Sequence, residues 1–110
     1  MTAPTYKIIA RESGDIIEEC DTLDEAVFQV SIYEENDIDN GDYTPDFYQI
    51  VREGAIVMVT RGGEEWEVGA FTDLDEGREF AGNYAGKVTI RTRELYSADG
   101  SLLTYEEASE

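Results

Sequence analysis

Histidine is missing altogether from the 110 residues. Its absence excludes the triads and acid–base schemes built on imidazole. With Cys20 as the only cysteine, the usual zinc sites are excluded as well. A single thiol cannot form an internal disulfide, which points to a reducing compartment, the cytoplasm. No run is apolar for long enough to span a bilayer, and the start, MTAPTYKIIARESGD, lacks a signal-peptide core. Positive charge is scarce too: eight Lys and Arg stand against 26 Asp and Glu, a net charge of −18. Such a chain repels DNA, RNA and anionic membranes, so the expected partner is a basic protein.

What remains is enough for a fold. Apolar residues make up 41% of the chain and arrive in patterned runs, so the chain is not a disordered acidic tail. Its length suits a single domain over 1–110 with its own core, ending in a frayed tail at 106–110. TYKIIAR (5–11) and IIEEC (16–20) flank Ser13-Gly14-Asp15 and predict a β-hairpin. Thr22 and Glu25 form a capping box, and Leu23, Ala26, Val27, Val30 and Tyr33 share one stripe at 100° per residue. Together they predict a helix from about 22 to 36. Asn40-Gly41 then turns the chain, and Pro45 extends it into a strand, DFYQIVR (46–52).

A turn is expected at Gly54, followed by AIVMVTR (55–61), which is apolar on both faces like a central strand. Gly62-Gly63 predicts a tight hairpin into EEWEVGAF (64–71), with Trp66, Val68 and Ala70 on one face. Residues 72–86 read as a short helix or a loop, because Thr72 to Asp75 can cap a helix while Gly77 and Gly82 weaken it. KVTIRTRELY (87–96) is a strand, turned back through Asp99-Gly100. The class is α+β, a mainly antiparallel sheet with one principal helix in the order ββαβββ(α)ββ.

Charge is distributed unevenly. Between Arg11 and Arg52 there is no Lys or Arg, and residues 12–51 carry thirteen carboxylates. Mixed signs lower self-repulsion at an ordinary surface, so a single-sign block stands out. Two readings fit it. In one, the block imitates the phosphate rows of a nucleic acid and occupies the groove of a basic protein. In the other, acidity only keeps a small protein soluble. Lys87, Thr89, Arg91 and Arg93 alternate along one strand; this stripe is either an anion site or the neutraliser of carboxylates on its own chain.

Motifs for chemistry fail on inspection. In NDIDNGDYTPDF, setting Gly41 at the sixth position of a calcium loop puts Ile38 and Phe47 where oxygen ligands belong. Asp73, Asp75 and Gly77 miss the same pattern by one position. There is no phosphate loop, dinucleotide fingerprint or nucleophile elbow, and no marker of a glycosidase-type carboxylate pair or a magnesium nuclease. The expected protein is not an enzyme and takes neither cofactor nor metal. Phe28 and Ile32, one turn apart on the helix face opposite Leu23, Val27 and Val30, are flanked by Asp24 and Glu35. They are either a hot spot with a polar rim, or packing beneath the C-terminal hairpin, or a homodimer contact.

The segments DTLDEA (21–26) and YEENDIDNGDYTPDFYQI (33–50) resemble small acidic proteins of phage and mobile elements. The likeness covers the first half of the chain. In its small size, lack of histidine and dense acid block, the chain is similar in character to nucleic-acid-mimic inhibitors: anti-CRISPR, anti-restriction and uracil-glycosylase-inhibitor proteins. That resemblance implies a non-enzymatic inhibitor, a phage protein acting in the host cytosol, whose partner is a CRISPR effector or a restriction or repair enzyme. The residues expected to carry the contact are Asp15, Glu18, Glu19, Asp24, Glu34, Glu35, Asp37, Asp39 and Asp42, with Phe28 and Ile32 as anchors. The alternative is a structural or regulatory α+β module, homodimeric or not, whose acidity serves solubility alone.

Overall fold

The computed structural model describes residues 3–84 and 86–108. It is an α+β fold with β1 (Tyr6–Ala10), β2 (Ile16–Cys20), α1 (Leu23–Asn40), β3 (Tyr48–Arg61), β4 (Glu64–Phe71), α2 (Leu74–Ala81), β5 (Lys87–Tyr96) and β6 (Leu102–Glu107). The sheet runs β2-β1-β3-β5-β6, and β4 also pairs with β3. Both β1 pairings and the β3–β4 pairing are antiparallel. Contacts divide the chain into two compact units that interleave in sequence. One comprises residues 5–52 and 95–104, the other 1–4, 53–94 and 105–110.

In the unit of residues 5–52 and 95–104, the helix stripe read from the sequence is the inner face of α1. Ala26 and Val30 are fully buried, and Leu23, Val27 and Tyr33 pack beside them. They meet Ile8, Cys20, Tyr48, Ile50 and Tyr96 in one cluster. Thr22 caps the helix, its hydroxyl accepting from the Glu25 N–H at 3.1 Å. The helix extends four residues past the predicted end, so Asp37 and Asp39 are helical. Gly41 then stops it in the left-handed conformation (φ 76°), its N–H reaching Ile38 O at 3.1 Å. At the β1–β2 turn the Ala10 N–H donates to Asp15 O at 3.0 Å.

In the other unit, the turn expected at Gly54 does not form: β3 is one continuous strand through it. Gly54 instead permits a close approach. Its φ is 154°, and a Cβ there would run into the Phe71 carbonyl oxygen and press on Pro4. Ala55 to Val59 are buried on both faces, as expected of a central strand. Gly62 and Gly63 both adopt positive φ and close the β3–β4 hairpin. The common face expected for Trp66, Val68 and Ala70 is broken by a bulge, because Met58 pairs with Glu67 and Val57 with Gly69, leaving Val68 as the extra residue. Trp66 therefore pairs with Val59 and Ala70 with Ile56, on opposite faces. Of the segment expected to be a short helix or a loop, Leu74–Ala81 form the helix α2, capped by Asp73, whose side chain accepts from the Asp75 N–H at 3.1 Å.

Phe71, Ala55 and Val57 form the second core, against which Leu74, Phe80, Ala81, Val88 and Ile90 pack. Strand β6 continues through Glu107, and the Ala108 N–H donates to Ile90 O at 2.8 Å. The part of the expected frayed tail up to 108 is thus tied down, and 109–110 lie outside the described residues.

Gly77 decides how closely α2 lies on β3. A Cβ at Gly77 would stand 2.5 Å from the Ala55 Cβ. Helix propensity favours alanine over glycine by about 1 kcal/mol, whereas overpacking costs about 1–3 kcal/mol. Gly77→Ala is therefore expected to lower the denaturation midpoint. A raised midpoint in urea unfolding would show that the close approach does not govern stability.

Candidate acidic binding surface

All eleven residues singled out from the sequence fall in the unit of residues 5–52 and 95–104. By its sequence that unit holds fourteen carboxylates against three cations: Lys7, Arg11 and Arg52. Arg52 is buried, with its guanidinium 4.8 Å from the centroid of the Tyr6 ring. Neither Lys7 nor Arg11 forms an ion pair among the described residues, and the same is true of each of the thirteen carboxylates from Glu12 to Asp46. The acid block is left to solvent rather than neutralised from within.

Helix α1 organises most of it. Asp24, Phe28, Ile32, Glu35 and Asp39 follow one another at steps of three or four residues and make one outward stripe, all exposed. Phe28 is 62% exposed and Ile32 36%. The alternative of packing beneath the C-terminal hairpin is therefore not what the structure has. Gly100 of that hairpin lies instead against Val27 and Leu23. The Ser31 hydroxyl donates to Phe28 O at 2.6 Å. Glu34 is half-buried beside this stripe, and Asp42 follows the helix, its N–H donating to Asp37 O at 2.8 Å.

Two carboxylates are held in place by tyrosines. The Tyr33 hydroxyl donates to Glu18 Oε1 and the Tyr48 hydroxyl to Asp37 Oδ2, both at 2.7 Å. The two rings stack with centroids 5.7 Å apart, and Phe47 meets Tyr48 edge-on at 5.0 Å. Hydrogen bonds to a carboxylate are stronger than neutral ones, so each carboxylate is oriented rather than merely tethered. Burial, followed by the bond to Asp37 and the charges of Asp37 and Glu34, pushes the Tyr48 hydroxyl up to about 12. The bond to Glu18, then burial, raises Tyr33. Burial, then the bond to Glu18, pushes the Cys20 thiol up to about 11, which makes it a poor nucleophile.

Not every expected residue joins this surface. In β2, Cys20 lies buried among α1 side chains and Glu18 reaches Tyr33, so alternation sends Glu19 to the opposite face. There it is the cross-strand partner of Lys7. Asp15 sits in the exposed hairpin turn. The two tyrosines were not anticipated as holders of carboxylates. The four-residue step from Tyr33 to Asp37 marks one helix edge, but the bond from Tyr48, eleven residues after Asp37, has no local signature.

In the other unit, Arg91 of the basic stripe neutralises its own chain. It is buried, with Nη1 2.9 Å from Glu94 Oε2 and Nη2 2.5 Å from Glu65 Oε1. Its guanidinium lies 4.0 Å from the centroid of the Tyr105 ring. Among the described residues, no three His, Cys, Asp or Glu side chains converge as metal ligands would, and no helix is long and apolar enough to cross a membrane. No protein-family profile, no curated protein and no solved structure matches the chain.

Tyr48 supplies a pH test. Its folded-state value lies above the ordinary tyrosine value, so the native state holds the proton more tightly than the unfolded chain. The stabilisation is whole below about pH 10 and falls as pH rises from about 10 to about 12. Tyrosinate absorbance during an alkaline titration is expected to show late-titrating rings. Tyr48→Phe should remove part of the alkaline loss in melting temperature and cost about 1–3 kcal/mol at neutral pH. An unchanged alkaline profile in the variant would show that the bond to Asp37 is not formed.

Proposed function

We propose that the protein is a non-enzymatic binding protein that presents a carboxylate surface in place of nucleic acid and thereby inhibits a basic nucleic-acid-handling protein. The observation that carries this reading is the un-neutralised block: among the described residues, none of the thirteen carboxylates from Glu12 to Asp46 is ion-paired. Leaving so much like charge facing solvent raises self-repulsion, and a basic groove would relieve it. Attraction of this kind steers encounter and weakens with salt, because exposed charges are screened beyond about 8 Å at physiological ionic strength.

Two further features support it. Glu18 and Asp37 are preoriented by Tyr33 and Tyr48, so less freedom is lost when a cationic side chain meets them. Phe28 and Ile32, exposed between Asp24 and Glu35, supply an apolar anchor inside an acidic rim, the composition that gives a charge-steered complex a slow off-rate. Duplex DNA offers no such anchor, so a mimic carrying one can outlast the ligand it imitates. The partner class is a defence or repair protein of the CRISPR-effector or restriction-enzyme kind, with the chain acting in the host cytosol as a phage-type inhibitor.

Affinity capture from lysate at low salt is expected to retain a nucleic-acid-binding protein that elutes at moderate salt and whose duplex binding the chain competes away. Reversing Glu34, Glu35, Asp37 and Asp39 to Lys should weaken that complex at least about thirtyfold, taking four surface contacts at about 0.5 kcal/mol each as the floor. Because Asp37 is bonded to Tyr48, the triple variant that leaves Asp37 in place is measured alongside. Undiminished inhibition by both variants would sink the mimic reading. A stable dimer in light scattering that buries Phe28, with no basic partner, would favour the regulatory module.

A further inference from the structure

The unit of residues 1–4, 53–94 and 105–110 carries a second surface feature that the acidic face does not use. The β3–β4 hairpin and the chain after α2 enclose a shallow groove of about 350 Å³, lined by Val59, Arg61, Trp66, Val68 and Tyr84. The extra residue of the bulge, Val68, is part of its lining. By the cross-strand pairing, Trp66 lies on the face of β3 that carries Val57 and Val59, the face that continues the core formed with Phe71 and Phe80. Trp66 remains 47% exposed. The Tyr84 ring is braced by Phe80 at 5.3 Å, and Phe80 in turn by Phe71 at 5.1 Å. The groove therefore has one fixed aromatic wall and one open aromatic wall over an aliphatic floor.

Its polar groups are mainly donors. The indole N–H of Trp66 and the guanidinium of Arg61 can only donate, and the Tyr84 hydroxyl can donate. Among the described residues, none of these three side-chain groups has a hydrogen-bond partner. A complementary ligand is rich in acceptors, poor in donors and apolar. A proline-rich segment in the polyproline II conformation meets all three conditions: its carbonyls are unpaired, its prolines lack N–H groups, and their rings pack on aromatic faces. The volume is at the low end for ligand grooves, about 300–1,000 Å³, which gives room for a few residues of extended chain. Charge sets the flanks. Glu64 is exposed on the same face as Trp66, by its pairing with Arg61, and has no partner among the described residues. The chain as a whole is at −18. A flanking Lys or Arg would be drawn to Glu64. A nucleobase could stack on Trp66, but Glu64 on the same face repels its phosphate.

We infer that the Val59–Arg61–Trp66–Val68–Tyr84 groove is a docking site for a proline-rich, basic peptide segment of a partner protein. Trp66 is the only tryptophan, so its emission reports on this groove alone. The experiment titrates the full chain with a short proline-rich peptide ending in arginine, with the same peptide carrying alanine for each proline, and with a short single-stranded oligonucleotide. A saturable blue shift with the proline-rich peptide is expected, weakened about five- to tenfold by Tyr84→Phe or by Arg61→Met, each of which removes the side chain's donors. Glu64→Lys should weaken it as well. An equal response to the alanine peptide would reduce the effect to charge and overturn the proposal. So would the absence of any shift with the proline-rich peptide, or tighter binding of the oligonucleotide.

Discussion

Electrostatic self-repulsion is the constraint around which this chain is built, since a net charge of −18 on 110 residues must be accommodated by a compact state. The two units meet it differently. In one, none of the carboxylates from Glu12 to Asp46 is ion-paired among the described residues, and they are spread over α1, β2 and the turns beside them, where water and salt screen them. In the other, Arg91 is drawn inside and shared between Glu65 and Glu94, with Tyr105 against its guanidinium. Burial alone would lower the Arg91 pKa; the hydrogen bond it donates to Glu94 and the charges of Glu65 and Glu94 override that and hold it above its ordinary value. Glu94, only 2% exposed, is tolerated in the interior because this cation is beside it.

The same repulsion explains why the tyrosines matter. An acid block with nothing to hold it would be a diffuse cloud of charge. Tyr33 and Tyr48 sit where the helix meets its sheet, apolar bodies in or against the core and hydroxyls at its margin, and so fix Glu18 and Asp37 in direction. Here folding energetics and the proposed recognition use the same atoms: the bond that satisfies a half-buried phenol also aims a carboxylate.

Much of the fold was legible in the sequence because its signals are local. The capping box at Thr22, the inward stripe from Leu23 to Tyr33, the glycine pair at 62–63 and the doubly apolar run at 55–59 each depend on neighbours within a few residues. Other features depend on distant ones. Gly54 looks like a turn but is a strand residue, and the reason, the Phe71 carbonyl and Pro4 pressed against it, is seventeen residues away on one side and fifty on the other. The bulge at Val68 splits Trp66 from Ala70 because the register is set by β3, not by the alternation of β4 itself. Gly77 weakens a helix by propensity, yet the approach of Ala55 requires it.

The sequence by itself determined the charge, its concentration in residues 12–51, the lack of imidazole chemistry and the α+β class, because composition and short-range periodicity settle those without reference to folding partners. Tertiary structure alone decided which carboxylates are oriented, that Glu19 faces away from α1, that Arg91 is buried with two acids, and that Phe28 and Trp66 stay in solvent. The physical reason is that exposure and hydrogen-bond geometry are properties of pairs of elements. Tyr48 finds Asp37, and Trp66 and Tyr84 come to line one groove, only after strands and helices have packed.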